Sequence, residues 1–313
     1  MQLQQVVCFL AVVDHKGVNA AAHALGSAPP TVSLAVRGLE RDLGTELFHR
    51  LGRGMVLSSA GRALVGPARR IVRGVVAAEG AVADAAGRLR GRLDVSTVSG
   101  LSVEPLAPLV GAFRREFPGV SLRIGDLPDE AAAASLIRDG HCEIALCYLP
   151  APDSADMTVC ELGVQEMWLV LPPGSAPPAE EPVKLSRLPD EPYVVVPRGG
   201  SRADQIEEIF AAEGHLLRPA AVLHQREARL PFVLAGVGAT LFERSTAQVA
   251  AARGAVVSAT DPPISQACGL IYQPGGLSPA GEAFIEMARE SAPGASDRQP
   301  PAAPMPPGTP APA

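Results

Sequence analysis

Residues 9–61 read FLAVVDHKGVNAAAHALGSAPPTVSLAVRGLERDLGTELFHRLGRGMVLSSAG, and the fold is decided by how this stretch divides. Gly17 to Leu25 offers a short helix of small residues, Gly26 and Ser27 mark a turn, and Thr31 to Leu43 repeats Val32, Val36, Leu39 and Leu43 at helical spacing. The paired helices span about 18–37, and Ala20, Ala21 and Ala22 let them cross closely. Such a pair suits a helix-turn-helix, in which one helix braces while the other enters a major groove. A plain three-helix core produces the same pattern. Beyond the second helix, Leu47 and Phe48 can staple it to a hairpin, and Ser58 and Ser59 can cap the helix that follows. Arg50 and Arg53 bracket the hairpin glycines Gly52 and Gly54, placed either for phosphate contact or as solvated surface charge.

The rest of the 313-residue chain leaves room for two or three domains. Its charge is divided unevenly. Residues 1–90 carry 11 Lys+Arg against 6 Asp+Glu, a net +5, whereas residues 91–313 carry 16 against 27, a net −11. A basic head on an acidic body points to a nucleic-acid contact confined to the N-terminus. No run of about twenty apolar residues is present, and MQLQQVVCFLAVVDH lacks the basic flank and cleavage site of a signal peptide, so a cytoplasmic, soluble protein is expected. Cys8, Cys142, Cys147, Cys160 and Cys268 are scattered without a CxxC pair, which argues against a disulfide framework or a zinc site. In CEIALCY, strand alternation points Cys142 and Cys147 to opposite faces.

From Gly61 to Leu89 a heptad places Leu64, Ile71, Ala78 and Ala85 at one seam position and Ala68, Val75, Val82 and Leu89 at the other. A long helix that pairs with a second copy is expected, with Leu64, Ile71, Val75, Val82 and Leu89 as dimerisation residues and Pro67 kinking its first part; the alternative is a helix folded onto its own domain. From Leu93, β-branched runs such as LDVSTV, EIALCY, MWLVL and CGLIY alternate with amphipathic segments such as PLAPLVGAFRREF and ADQIEEIFAAEG. This is doubly wound α/β patterning. There is no GxSxG elbow, HExxH or phosphate loop, and the six histidines show no ligand spacing. No enzyme, cofactor or metal is expected. After about Ser291 the Pro-rich tail, 292–313, reads as disordered.

The head resembles the DNA-binding domain of LysR-type transcriptional regulators almost from end to end. Family landmarks fall at Phe9, Ala21, Ala22, Leu25, Ser33, Leu39, Glu40, Leu43, Gly44, Leu47, Phe48, Arg50, Leu57 and Gly61. The resemblance implies a homodimer or tetramer that binds double-stranded promoter DNA, without a membrane partner. Its parts are an all-α winged helix-turn-helix (1–60), a linker helix (61–90) and an effector domain (91–291) with the fold of periplasmic solute-binding proteins. Lobe I would hold 93–161 and 267–291, and lobe II 162–266. Asn19, Thr31, Ser33, Arg37, Arg50 and Arg53 form the candidate DNA-binding set, although Ser33 can equally bond back to its own helix. Ala28, Pro29 and Pro30 replace the family's usual Ser-Gln-Pro/Ser opening, and Leu34 replaces a polar residue, which leaves few base-reading groups. In the body, Glu143 replaces a usual Asp and Glu243 stands where Pro is frequent. Helices expected near Pro105 and after PRGGSRAD would aim free N–H groups into the cleft. Ser99, Ser102, Arg198, Ser201 and Arg202 are the candidate effector residues, for a small molecule of anionic type. Ser102 alone, or Ser201 with Asp204, can equally serve as helix caps.

Overall fold

The computed structural model describes residues 1–51, 54–83, 89–197, 201–291 and 297–298. In the head, α1 (Leu3–Asp14), α2 (Val18–Ala24) and α3 (Pro29–Leu43) close around Phe9, Val12, Ala21, Ala22, Val32, Val36 and Leu39. Pro29 and Pro30 open α3, where a missing N–H removes no intrahelical bond. Gly44 closes it at φ +68, a conformation glycine adopts without a Cβ clash. Glu40 then ties α3 to the wing, its Oε1 accepting the Leu47 N–H at 2.9 Å and the Phe48 N–H at 3.4 Å. The wing is an antiparallel pair, β1 (Phe48–Leu51) with β2 (Gly54–Leu57), and the Phe48 ring packs 5.5 Å from that of Phe9.

Ser58 starts the next helix, α4 (Ser59–Ala83). Its Oγ accepts the Gly61 N–H at 2.9 Å and donates to the Glu46 carbonyl at 2.7 Å. Ser58→Ala is expected to lower the stability of the head by about 1 kcal/mol, read as a lower urea midpoint. The linker helix is described as far as Ala83. Residues 84–88, with Ala85 on the expected seam, lie outside the described residues, and Leu89 sits ahead of the next strand, packed against the core of the body. Leu89 is thus not a seam residue of α4. The first half of the seam is also claimed by this chain itself. Ala68 is fully buried in the head core and Leu64 packs beside it, because the small Ala68 side chain lets α4 lie close against α1.

The body follows as β3 (Gly91–Thr97), a single helical turn α5 (Ser99–Leu101), α6 (Ala107–Glu116), β4 (Val120–Asp126), α7 (Ala131–Arg138) and β5 (Ile144–Tyr148). Next come β6 (Thr158–Leu171), β7 (Val183–Lys184), β8 (Tyr193–Val195), α8 (Ser201–Ala212), β9 (Pro219–Val222), α9 (Arg229–Leu234), β10 (Thr240–Glu243) and α10 (Arg244–Ala251). The last elements are β11 (Val256–Ser258), β12 (Thr260–Asp261), β13 (Ile264–Tyr272) and α11 (Pro279–Ser291). The main sheet runs β10-β6-β13-β5-β3-β4, with β3 parallel to β4 and β5, the arrangement helical crossovers produce. Every residue of β5 is buried, which explains its unbroken apolar run. The long antiparallel strands β6 and β13 run between the three apolar cores of the body. One gathers residues from Leu93 to Cys160 and Cys268 to Ala288, while the others lie between Met167 and Ile264.

The linker helix is docked on this body. A Cβ added at Gly66 would sit 1.9 Å from the Arg138 carbonyl oxygen, so only glycine permits the approach. Beside it, Arg69 Nη1 donates to the Asp139 carbonyl at 3.1 Å and Arg73 Nη1 to the Gly140 carbonyl at 2.8 Å. Two cations thus meet the negative end of α7. Arg69 also pairs with Asp14 of α1 at 2.6 Å, and Arg73 Nε lies 3.5 Å from Glu143 Oε1.

Candidate nucleic-acid interface and effector cleft

Packing decides which side of α3 is available. Val32, Val36, Gly38 and Leu39 face the core, leaving Pro30, Thr31, Leu34, Arg37 and Arg41 exposed along the opposite face. Of the expected DNA-binding residues, Thr31 and Arg37 share this face, Asn19 is exposed on α2, and Ser33 is half-buried beside the core. Arg50 lies on β1 opposite Met55, with its side chain outside the described residues, as is the whole of Arg53. Arg41 lies exposed one helical turn beyond Arg37.

The cleft between the lobes differs from its sequence-based picture. The helix expected near Pro105 begins at Ala107, because Glu104 is extended (φ −144, ψ 128) and separates it from the turn at Ser99–Leu101. Ser99 opens that turn half-buried. The Ser102 hydroxyl donates to the Val98 carbonyl at 3.5 Å, so its proton is engaged by its own backbone. Helix α8 begins at Ser201, inside PRGGSRAD and not after it, while Arg198 lies outside the described residues, as do the side chains of Ser201 and Arg202.

A buried carboxylate stands beside α5. Buried Glu243, at the end of β10, accepts the Tyr148 hydroxyl proton at 3.0 Å and thereby joins β10 to β5. It stands so close to α5 that a Cβ on Gly100 would lie 2.0 Å from its Oε1. Arg229 stacks on Phe242, its Cζ 4.7 Å from the ring centre, and donates to the carbonyls of Leu241 and Arg226. A hydroxyl, a carboxylate and a guanidinium far apart in sequence thus lie near one another in the interior of the body.

All five cysteines are buried and none is in a disulfide. Burial pushes the Cys142 thiol up to about 11, Cys147 to about 12 and Cys268 to about 11. At neutral pH these thiols are protonated and poor nucleophiles. Among the described residues, no group of three or more His, Cys, Asp or Glu is placed to hold a metal ion, and no helix is long and apolar enough to cross a membrane.

A winged helix-turn-helix carried by a long helix on a two-lobed α/β body is the architecture of a ligand-responsive DNA-binding regulator. Residues 3–62 match the bacterial regulatory helix-turn-helix protein, lysR family, and residues 86–293 match the LysR substrate binding domain. The chain belongs to the LysR family and is a LysR-type transcriptional regulator with a helix-turn-helix and an effector-binding domain. Similar curated proteins include the RuBisCO operon transcriptional regulator of Allochromatium vinosum, 27% identical over 91% of this chain and 95% of that protein. The transcriptional regulator TfdS of Cupriavidus pinatubonensis is 28% identical over 92% and 98%. Among solved structures, full-length OxyR from Pseudomonas aeruginosa aligns with TM-score 0.69 at 18% identity, over 95% of this chain and 99% of that one. CbnR in complex with its target DNA aligns with TM-score 0.63 at 23% identity, over 93% and 100%.

Proposed function

We propose that the protein acts in the cytoplasm as a homodimer, or a tetramer built from dimers, that lays the exposed face of α3 in the major groove of promoter DNA and responds to a small molecule held between its lobes. The observation that carries the reading is the division of α3 into a buried face and an exposed face bearing Thr31, Arg37 and Arg41. Asn19, Thr31 and Arg37 approach the duplex, Ser33 sets the helix against it, and Arg50 and Arg53 of the wing meet phosphate. Pairing uses the outer side of α4, where Ile71 and Val76 are exposed and Val75 is half-buried. Val82 continues that side, its side chain lying outside the described residues. The reading contains no catalytic step.

In the body, the effector is held by the set Ser99, Ser102, Arg198, Ser201 and Arg202, and the Tyr148–Glu243 bond beside α5 responds to its binding. A ligand carboxylate directed at α5 has to displace Glu243, whereas a cationic or hydrogen-bond-donating group can replace the Tyr148 proton. A peroxide-sensing alternative is suggested by a 28% identical relative in Mycobacterium avium described as a probable hydrogen peroxide-inducible genes activator. The buried, protonated cysteines of this chain weigh against it.

Selection of bound fragments from genomic DNA, followed by a salt titration, tests the proposal. Affinity is expected to fall with added salt at a logarithmic slope of about −0.9 per phosphate contacted. A slope near zero, or no selected fragment, overturns it. Tyr148→Phe, which removes this bond to Glu243, is expected to change the effector concentration needed for response while leaving basal DNA binding intact, as read by the same binding assay with ligand added.

A further inference from the structure

The exposed face of α3 is chemically unusual for a surface that reads bases. Its first half presents Ala28, Pro29, Pro30 and Leu34 around a single exposed hydroxyl, that of Thr31. Leu34 is 69% exposed at the middle of this group, although Val32 and Val36 on either side of it in sequence are buried. An isolated exposed leucine is ordinary on a protein surface. Here, however, it lies one turn from Thr31 and one turn from Arg37, on the same outer face, and the neighbours that could donate bidentate hydrogen bonds to bases are replaced by proline and alanine. The basic balance of residues 1–90, net +5, brings this face to a polyanion, and Arg37 and Arg41 continue it toward the C-terminal end of the helix.

In the major groove the thymine C5-methyl group is the one apolar feature among the base edges; every other distinguishing group is a donor or acceptor. Setting Leu34 against such a donor or acceptor leaves it without a hydrogen-bond partner, whereas setting it against a methyl group removes apolar surface from water on both sides. We propose that Leu34, flanked by Pro30, recognises thymine methyl groups, so that the operator is specified at those positions by apolar contact. This rests on the proposed entry of α3 into the major groove and adds the chemistry by which it selects sequence.

The test uses the full chain and the duplex recovered by genomic selection, with each thymidine replaced singly by deoxyuridine, which preserves base pairing and removes only the methyl group. Binding is expected to weaken about four-fold for each methyl group that Leu34 covers, at one or two positions per half-site, with no change at the other thymines. Leu34→Ala is expected to weaken the thymine duplex and to abolish the difference between thymine and uracil at those same positions. Because Leu34 is exposed, the variant keeps the helix core, and an unchanged circular dichroism spectrum and urea midpoint verify this. Tight binding that is indifferent to every methyl removal overturns the inference while leaving the DNA-binding function standing. A methyl effect that survives Leu34→Ala undiminished also overturns it, since another group then reads the thymine. Failure to recover any bound duplex overturns the proposed function and this inference with it.

Discussion

Replacing Arg73 with methionine is expected to destabilise the protein by about 3 kcal/mol at neutral pH, the lower end of the range for breaking a buried ion pair. The Glu143 side chain has no exposure and that of Arg73 has 14%, and their closest approach is 3.5 Å. The loss arises because Glu143, without its partner, must either stay charged and unpaired or take up a proton, with the Ser278 N–H at 2.7 Å as the hydrogen bond that remains. The lower end applies because Arg73 borders a cavity of about 680 Å³ between α4 and the body, which admits solvent to the broken pair. Arg73→Met/Glu143→Gln removes both charges and preserves the acceptor for Ser278, so the double variant is expected to recover most of the loss in urea unfolding. Additive single effects in that cycle would show that the two groups are not coupled.

The same pair makes a pH-dependent claim. Burial pushes the Glu143 carboxyl above its ordinary 4.5, an effect that Ser278 and Arg73 only partly offset, while burial also lowers the Arg73 guanidinium. A carboxyl raised in the folded state binds more protons there than in the unfolded chain. Its contribution is therefore fully present below 4.5 and is lost as pH rises through the folded value. Without Arg73 the folded value rises further. The deficit of Arg73→Met is expected to be largest near neutrality and to narrow toward pH 4, where Glu143 is neutral in both proteins. A deficit that does not change across that interval assigns the loss to packing or to the Gly140 carbonyl.

These contacts show where sequence reading ends. The fold class was legible because the repeat of Val32, Val36 and Leu39 and the β-branched runs of the body are local patterns, set by which face must be buried. Glu40 could be marked as a landmark, yet its work, holding the Leu47 and Phe48 N–H groups, appears only when the wing returns to α3. The heptad was legible as a helix, but not which surface each seam position meets. Leu64 and Ala68 repeat equally well whether they face a second chain or α1, and an apolar period does not name its partner. Arg73 and Glu143, or Tyr148 and Glu243, are far apart in the chain and meet only through the tertiary fold. Glu243 alone gave a hint, as a charged residue where the family pattern favours proline.

The division of α4 leads to the largest effect expected. Since Leu64 and Ala68 are occupied by the head, pairing between subunits falls to the next turns, where Ile71 is 38% exposed and Val76 41% exposed, with Val75 half-buried between them. Ile71→Asp/Val75→Asp places four carboxylates in the proposed seam of a dimer, where each loses water and faces like charge. Sedimentation is expected to show a monomer at concentrations where the parent chain is dimeric. A duplex with two half-sites is held by the dimer as a linked pair of contacts, so its affinity is expected to fall about 100-fold or more. Affinity for a single half-site should change little, because α3 and the wing are untouched. Ile71→Ser/Val75→Ser, polar without charge, should fall between the two. A double-aspartate variant that sediments as a dimer and still grips both half-sites places subunit pairing elsewhere, and the exposed side of α4 then has no role in assembly.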